Sequence, residues 1–117
     1  MNRYRRPYRT AQQHKTGQMN KTEKRFSLLL DAAIQAEEIE RYEFERIKFR
    51  LAKNTYLTPD FYVVYPNHIE IIEIKGGFIR EDAIIKFKVA AEMFPEYKWK
   101  LIQQKNKNSP FNLILEI

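Results

Sequence analysis

Residues 58–75, TPDFYVVYPNHIEIIEIK, hold two apolar runs, 61–65 and 69–74, on either side of Pro66-Asn67. Runs rich in β-branched and aromatic residues, joined by a turn signal, predict a hairpin. The register of that hairpin constrains the chain more than any other feature, because a slip of one residue turns every side chain to the other face. A connection symmetric about Pro66-Asn67 sets Asp60 directly opposite Glu73. Pro66 is a poor first residue for a primed two-residue turn, so a four-residue loop with the same register is expected.

Directly opposed residues of an antiparallel pair have Cβ atoms about 4.5–5.5 Å apart, where two like charges destabilise the sheet. Lys75 lies two residues beyond Glu73, on the same face, and offsets part of that repulsion. A divalent cation offsets more. Carboxylate oxygens are hard ligands suited to Mg²⁺ or Mn²⁺, and a magnesium site combines one or two of them with water and a substrate phosphate. Such a site polarises a phosphoryl group and lowers the pKa of a bound water. The plainer alternative is a rim cluster in which Lys75 pairs with Glu73.

Upstream, NKTEKRFSLLLDAAIQAEE repeats Phe26, Leu29, Leu30, Ala33 and Ile34 at helical spacing behind an Asn20 or Thr22 cap. Glu23 falls three residues before Phe26 and seven before Leu30, so it extends the buried stripe. It also stands three residues after Asn20, the spacing of a capping box. Capping and a place in the acidic site are both open. The next segment, IERYEFERIKFRLAKN, alternates over residues 47–51, with Tyr42 and Phe44 on the opposite parity. That phase shift predicts a strand with a bulge near Glu45 or Arg46, whose Lys48 and Arg50 share a solvated face.

After Lys75, Gly76-Gly77 permits a sharp exit and a close backbone approach by a ligand. REDAIIKFKVAAEMFP then reads as a helix with Ala83, Phe87, Ala90, Ala91 and Phe94 on one stripe and Pro95 at its end. Lys86 and Lys88 on it read as solvated helix charges. YKWKLIQQ and NLILEI supply two more strands around the turn KNKNSP. Trp99 is assigned to the core and His68 to the hairpin turn. The last strand either completes the sheet or pairs across a dimer.

The 117 residues carry 21 Lys and Arg, 15 Asp and Glu, no Cys and two His. Disulfides, thiolate metal sites and a conventional zinc site are excluded, and a reducing compartment is expected. The longest apolar runs fall far short of the ~20 residues of a membrane span, so a soluble, cytoplasmic protein with no membrane partner is expected. Eight of the cations but a single acid lie in residues 1–25. Residues 1–19 therefore read as a flexible basic arm, and 20–117 as the folded domain. Arg3, Arg5, Arg6 and Arg9 suit phosphate, with Tyr4 and Tyr8 available to stack on bases. A solvated tail is the other reading, and His14 carries no signal. The glycines make neither a dinucleotide fingerprint nor a phosphate loop, and no nucleophilic triad is evident.

Thr58-Pro59-Asp60 and Glu73-Ile74-Lys75 together resemble the P-D…(D/E)-x-K signature of the restriction-endonuclease-like nuclease superfamily, and within it small phage-encoded nucleases related to Holliday-junction resolvases. The resemblance spans roughly residues 20–104. It implies an α/β fold with an αβββαβ core, a mixed central sheet flanked by helices. It implies Asp60, Glu73 and Ile74 as metal positions, the last with only a main-chain carbonyl to offer, Lys75 as catalytic, and Glu23 as a candidate acid from the first helix. Lys86 becomes a candidate phosphate contact. The implied activity is Mg²⁺-dependent hydrolysis of DNA, with Mn²⁺ able to substitute, on a branched substrate and by a homodimer in the host cytoplasm. Two alternatives stand beside it: a nuclease for duplex, flap or nicked DNA or for RNA, and a non-catalytic nucleic-acid-binding protein on the same fold.

Overall fold

The structure is a computed structural model and describes residues 17–117. The arginines of the basic arm, Arg3, Arg5, Arg6 and Arg9, lie outside the described residues.

Helix α1 (Lys21–Gln35) begins where Asn20 and Glu23 form a reciprocal capping box, satisfying two main-chain donors that the first turn leaves unpaired. Five strands follow before the second helix: β1 (Arg41–Phe44), β2 (Phe49–Ala52), β3 (Thr55–Leu57), β4 (Phe61–Val64) and β5 (Ile69–Gly76). Helix α2 (Glu81–Met93), β6 (Lys98–Gln104) and β7 (Asn112–Glu116) complete the chain. The main sheet has the order β1-β4-β5-β6-β7, with β5 and β6 parallel and the other neighbours antiparallel. Taken as α1-β1-β4-β5-α2-β6, this is the expected αβββαβ order in a mixed sheet. β2 and β3 form a separate hairpin, and β7 completes the sheet at its edge.

A parallel neighbour requires a crossover, and α2 makes it, covering one face of the sheet. On that face Phe87, Ala90, Ala91 and Phe94 pack with Ile71, Trp99, Leu101, Ile47 and Phe49. The opposite face belongs to α1, whose Phe26 and Leu30 meet Phe44, Phe61, Val63, Ile72 and Ile74. Strand parity explains the division: Ile71 points to α2, while Ile72 and Ile74 point to α1.

Two expectations are corrected. The bulged strand is two strands in two sheets, because Glu45 takes φ of 51° and the chain leaves the main sheet there. The phase shift between Phe44 and Ile47 marks that departure. The second arm of the resulting hairpin, β3, follows a turn at Lys53-Asn54 in which Asn54 has φ of 54°, a conformation asparagine tolerates. Leu29 is 52% exposed, not part of the core stripe. At about 100° per residue, the buried arc centres between Phe26, Ser27 and Leu30, which turns Leu29 outward. Ser27 is buried instead, its hydroxyl satisfied by the Lys24 carbonyl at 2.7 Å. At Gly76 the packing of α1 leaves no room for a side chain: a Cβ there would stand 3.2 Å from Thr22 Oγ1.

Candidate active site

The β4–β5 ladder pairs Phe61 with Ile72 and Val64 with Ile69, and Tyr65 N donates to the His68 carbonyl across a four-residue loop. This is the symmetric register, and it carries Asp60, one residue before β4, to Glu73. Here the acids take over from the ladder. Asp60 N donates to Glu73 Oε1 at 3.2 Å, and Ile74 N donates to Asp60 Oδ2 at 2.7 Å. Each carboxylate is thus fixed by a main-chain N–H of the opposite strand. Buried Pro59 leads into this position, and the Asp60 carbonyl accepts from Glu45 N at 2.8 Å, so the residue is held from three sides.

Asp60 is 6% exposed and the Glu73 side chain 12%. Burial, followed by the charge of Glu73, pushes the Asp60 carboxyl up to about 9, and the Ile74 N–H only partly opposes this. Burial also raises Glu73, against the pull of Lys75, whose Nζ lies 3.4 Å from Glu73 Oε2. Glu23 adds negative charge to both, reaching them from the start of α1. The two readings of Glu23 therefore coincide: one oxygen caps the helix, and the side chain sits on the buried arc close to the acids. The structure brings Glu23, Asp60, Glu73 and Lys75 together.

Glu70, three residues before Glu73 on the same strand and hence on its opposite face, is a useful contrast. It is also buried, but it lies on the α1 face between Lys100 Nζ at 3.1 Å and His68 Nε2 at 3.0 Å. Cationic or protonatable partners stand on two sides of it. Asp60 and Glu73 have each other and one lysine.

Among the described residues no three His, Cys, Asp or Glu side chains make a metal cage of their own. Two buried carboxylates beside an open cleft are nevertheless the donor set that a magnesium ion shares with water and phosphate. The crowding and burial that raise both the Asp60 and the Glu73 carboxyl fit a cation in the place of the proton. Ile74 contributes its N–H to Asp60, and its side chain is buried toward α1.

A cleft of about 230 Å³ opens beside Glu73 and Lys75. Arg80, Asp82 and Lys86 line it with them, over a floor that includes Leu57 and Phe87. Lys86 is half-buried there, whereas Lys88 is exposed on the other side of α2. Arg80 was not singled out by the sequence reading. It pairs with Asp82 at 3.0 Å and reaches the cleft because Gly77, at φ of 64°, turns the chain immediately after β5. The turn is pinned by Gly77 N donating to the Gln104 carbonyl at 3.2 Å and by Gln103 Nε2 donating to the Gly77 carbonyl.

Among the described residues no helix is long and apolar enough to cross a membrane. No family model matches the sequence, and no curated protein does. The chain is similar in structure to Hjc, a Holliday junction resolvase from the archaeal hyperthermophile Archaeoglobus fulgidus, with 14% sequence identity and a TM-score of 0.44 over 77% of this chain and 72% of that one.

Proposed function

We propose that this protein is a Mg²⁺-dependent endonuclease that hydrolyses phosphodiester bonds of DNA. The observation that carries the reading is the pair of buried, opposed carboxylates, Asp60 and Glu73, whose lysine partner opens into a cleft with two further cations. A protein that merely bound nucleic acid would gain nothing from two crowded, desolvated carboxyl groups, whose ionisation costs stability unless a cation binds them. The P-D…E-x-K resemblance supports the same chemistry, and the branched substrate and the homodimer rest on that resemblance.

Asp60, Glu73 and the main-chain carbonyl of Ile74 would hold the ion. Bound there, it would supply Lewis-acid polarisation of the phosphoryl oxygen and a lowered water pKa, so that a water that has given its proton to solvent attacks phosphorus as the P–O bond to the leaving sugar oxygen breaks. Glu73 and Asp60 hold their geometry through main-chain N–H groups, so little reorganisation accompanies the reaction. The Lys75 ammonium, close to Glu73 and open to the cleft, orients the attacking water and offsets charge growing on the phosphate. Lys86 and Arg80 hold the phosphodiester against the site, as point charge and planar fork respectively.

The test is cleavage of end-labelled four-way junction, flap, nicked, duplex and single-stranded DNA in Mg²⁺, Mn²⁺ or EDTA. Cuts that require the metal and concentrate on the junction are expected. Metal-dependent cuts spread evenly over the panel would keep the nuclease and remove the branched substrate. DNA bound but uncut in both metals would replace the enzyme with the binding protein.

A further inference from the structure

Phe78 is 87% exposed, the highest value for any large apolar side chain among the described residues. The fold does not use it, since no other ring stacks on it among the described residues. Its setting is nevertheless rigid. Gly77 is tied by both its N–H and its carbonyl to Gln104 and Gln103 of β6, and Ile79 on the other side is half-buried against the α2-side core. The link therefore turns residue 79 inward and holds residue 78 out in solvent. Apart from its two chain neighbours, nothing lies within 4 Å of where a Cβ on Gly77 would project, so the turn before Phe78 is open to solvent on that side.

Its position relative to the cleft gives that exposure a use. Phe78 is three residues from Lys75 and two from Arg80, and both of those line the cleft together with Glu73 and Lys86. A nucleotide strand whose phosphate is held by these cations must carry its bases past the adjacent lip. Cations position the backbone, and an aromatic face beside them takes up a base, which is the division of labour in single-strand recognition. We propose that Phe78 stacks on an unpaired or unstacked base next to the phosphodiester held at Glu73 and Lys75, and so selects DNA whose helix is interrupted there. The inference rests on the nuclease reading and deepens it. A base in continuous duplex must first be unstacked at a cost, whereas a base at a branch, bulge or mismatch has already lost that stacking. A protein partner would fit a contiguous apolar patch better than one ring bracketed by Gly76-Gly77 and Arg80.

The experiment compares wild type with Phe78→Ala and Phe78→Trp on two duplexes of equal length. One is fully paired, and the other carries a short unpaired bulge with 2-aminopurine. Affinity and 2-aminopurine fluorescence are read in EDTA, cleavage in Mg²⁺, and oligomeric state by sedimentation. Stacking of ordinary strength corresponds to roughly tenfold in affinity or more per base. Phe78→Ala is therefore expected to lose about tenfold on the bulged duplex, with less than about twofold change on the paired one. Wild type and Phe78→Trp should quench the 2-aminopurine, and Phe78→Ala should not. Equal affinity of wild type and Phe78→Ala for the bulge, with cleavage intact, overturns the stacking role alone. An altered oligomeric state with unchanged DNA binding overturns it in favour of a protein interface. A wild type that binds no DNA overturns the nuclease reading and the stacking role with it.

Discussion

Asp60→Asn is expected to lower DNA cleavage by about 10³-fold or more while raising the melting temperature of the metal-free protein. The first effect is the scale of loss when one member of a catalytic unit is removed. The second follows from the environment of the side chain. Asparagine keeps an oxygen for the Ile74 N–H but carries no charge for Glu73 and Glu23 to repel. The folded-state pKa of Asp60, about 9, lies above its ordinary value of 3.8. The folded protein therefore holds a proton that the unfolded chain has released, and stability falls as pH rises from about 4 towards about 9. In EDTA the wild type should melt at progressively lower temperature between pH 5 and 9, and the variant should show a flatter profile. Near neutral pH a gain of about 1 kcal/mol corresponds to ~5 °C for a domain of this size. Mg²⁺ should recover the wild type at high pH, since ion and proton compete for the same oxygens, and should leave the variant unmoved. A variant that cleaves normally would remove Asp60 from the site. A wild-type melting temperature that holds steady from pH 5 to 9 would show that burial there carries no strain.

The hairpin that builds this site was legible because two independent sequence signals agree on it: the apolar runs 61–65 and 69–74, and the symmetric turn at Pro66-Asn67. Register follows from those two, and the opposition of Asp60 to Glu73 follows from register. Glu23 was legible through its phase on α1, yet periodicity alone could not divide its oxygens between the cap and the acids. The same periodicity placed Leu29 in the core, because a stripe written in i, i+3, i+4 steps fixes its width but not its centre; the small, self-satisfied Ser27 shifted that centre. The break at Glu45 showed in the sequence as a change of parity, which a bulge and a departure to another sheet share. What escaped altogether were Arg80 and Phe78. Arg80's place at the cleft and the exposure of Phe78 both depend on the turn at Gly77 and on its ties to Gln103 and Gln104, residues more than two dozen positions away. No local pattern encodes a contact of that separation.

Trp99→Ala is expected to remove about 3–5 kcal/mol of stability, a large share of the ~5–15 kcal/mol that holds a domain folded. Trp99 is fully buried, and its ring lies 5.1 Å from that of Phe49, 5.8 Å from Phe87 and 6.5 Å from Tyr97. Its Nε1 also donates to the Phe94 carbonyl at 2.9 Å, at the C-terminal end of α2, so truncation leaves a cavity and removes one of that carbonyl's hydrogen bonds. The urea midpoint should fall sharply with little change in slope, which marks lost stability rather than an altered unfolded state. Trp99→Phe separates the two contributions: it keeps an aromatic ring in the cluster and gives up the hydrogen bond and part of the volume, so a smaller loss of ~1–2 kcal/mol is expected. The consequence reaches the cleft. Trp99 stands beside Ile71 in the parallel β5–β6 ladder, and the cluster around it seats α2 on the strand that bears Glu73 and Lys75. Phe87, one residue from Lys86, belongs to the same cluster and forms part of the cleft floor. Loosening that seat should therefore weaken DNA cleavage through the placement of Lys86, with Asp60 and Glu73 still paired across β4 and β5. Trp99→Phe that loses stability but cleaves at the full rate below its melting range would show instead that the position of α2 does not limit the reaction.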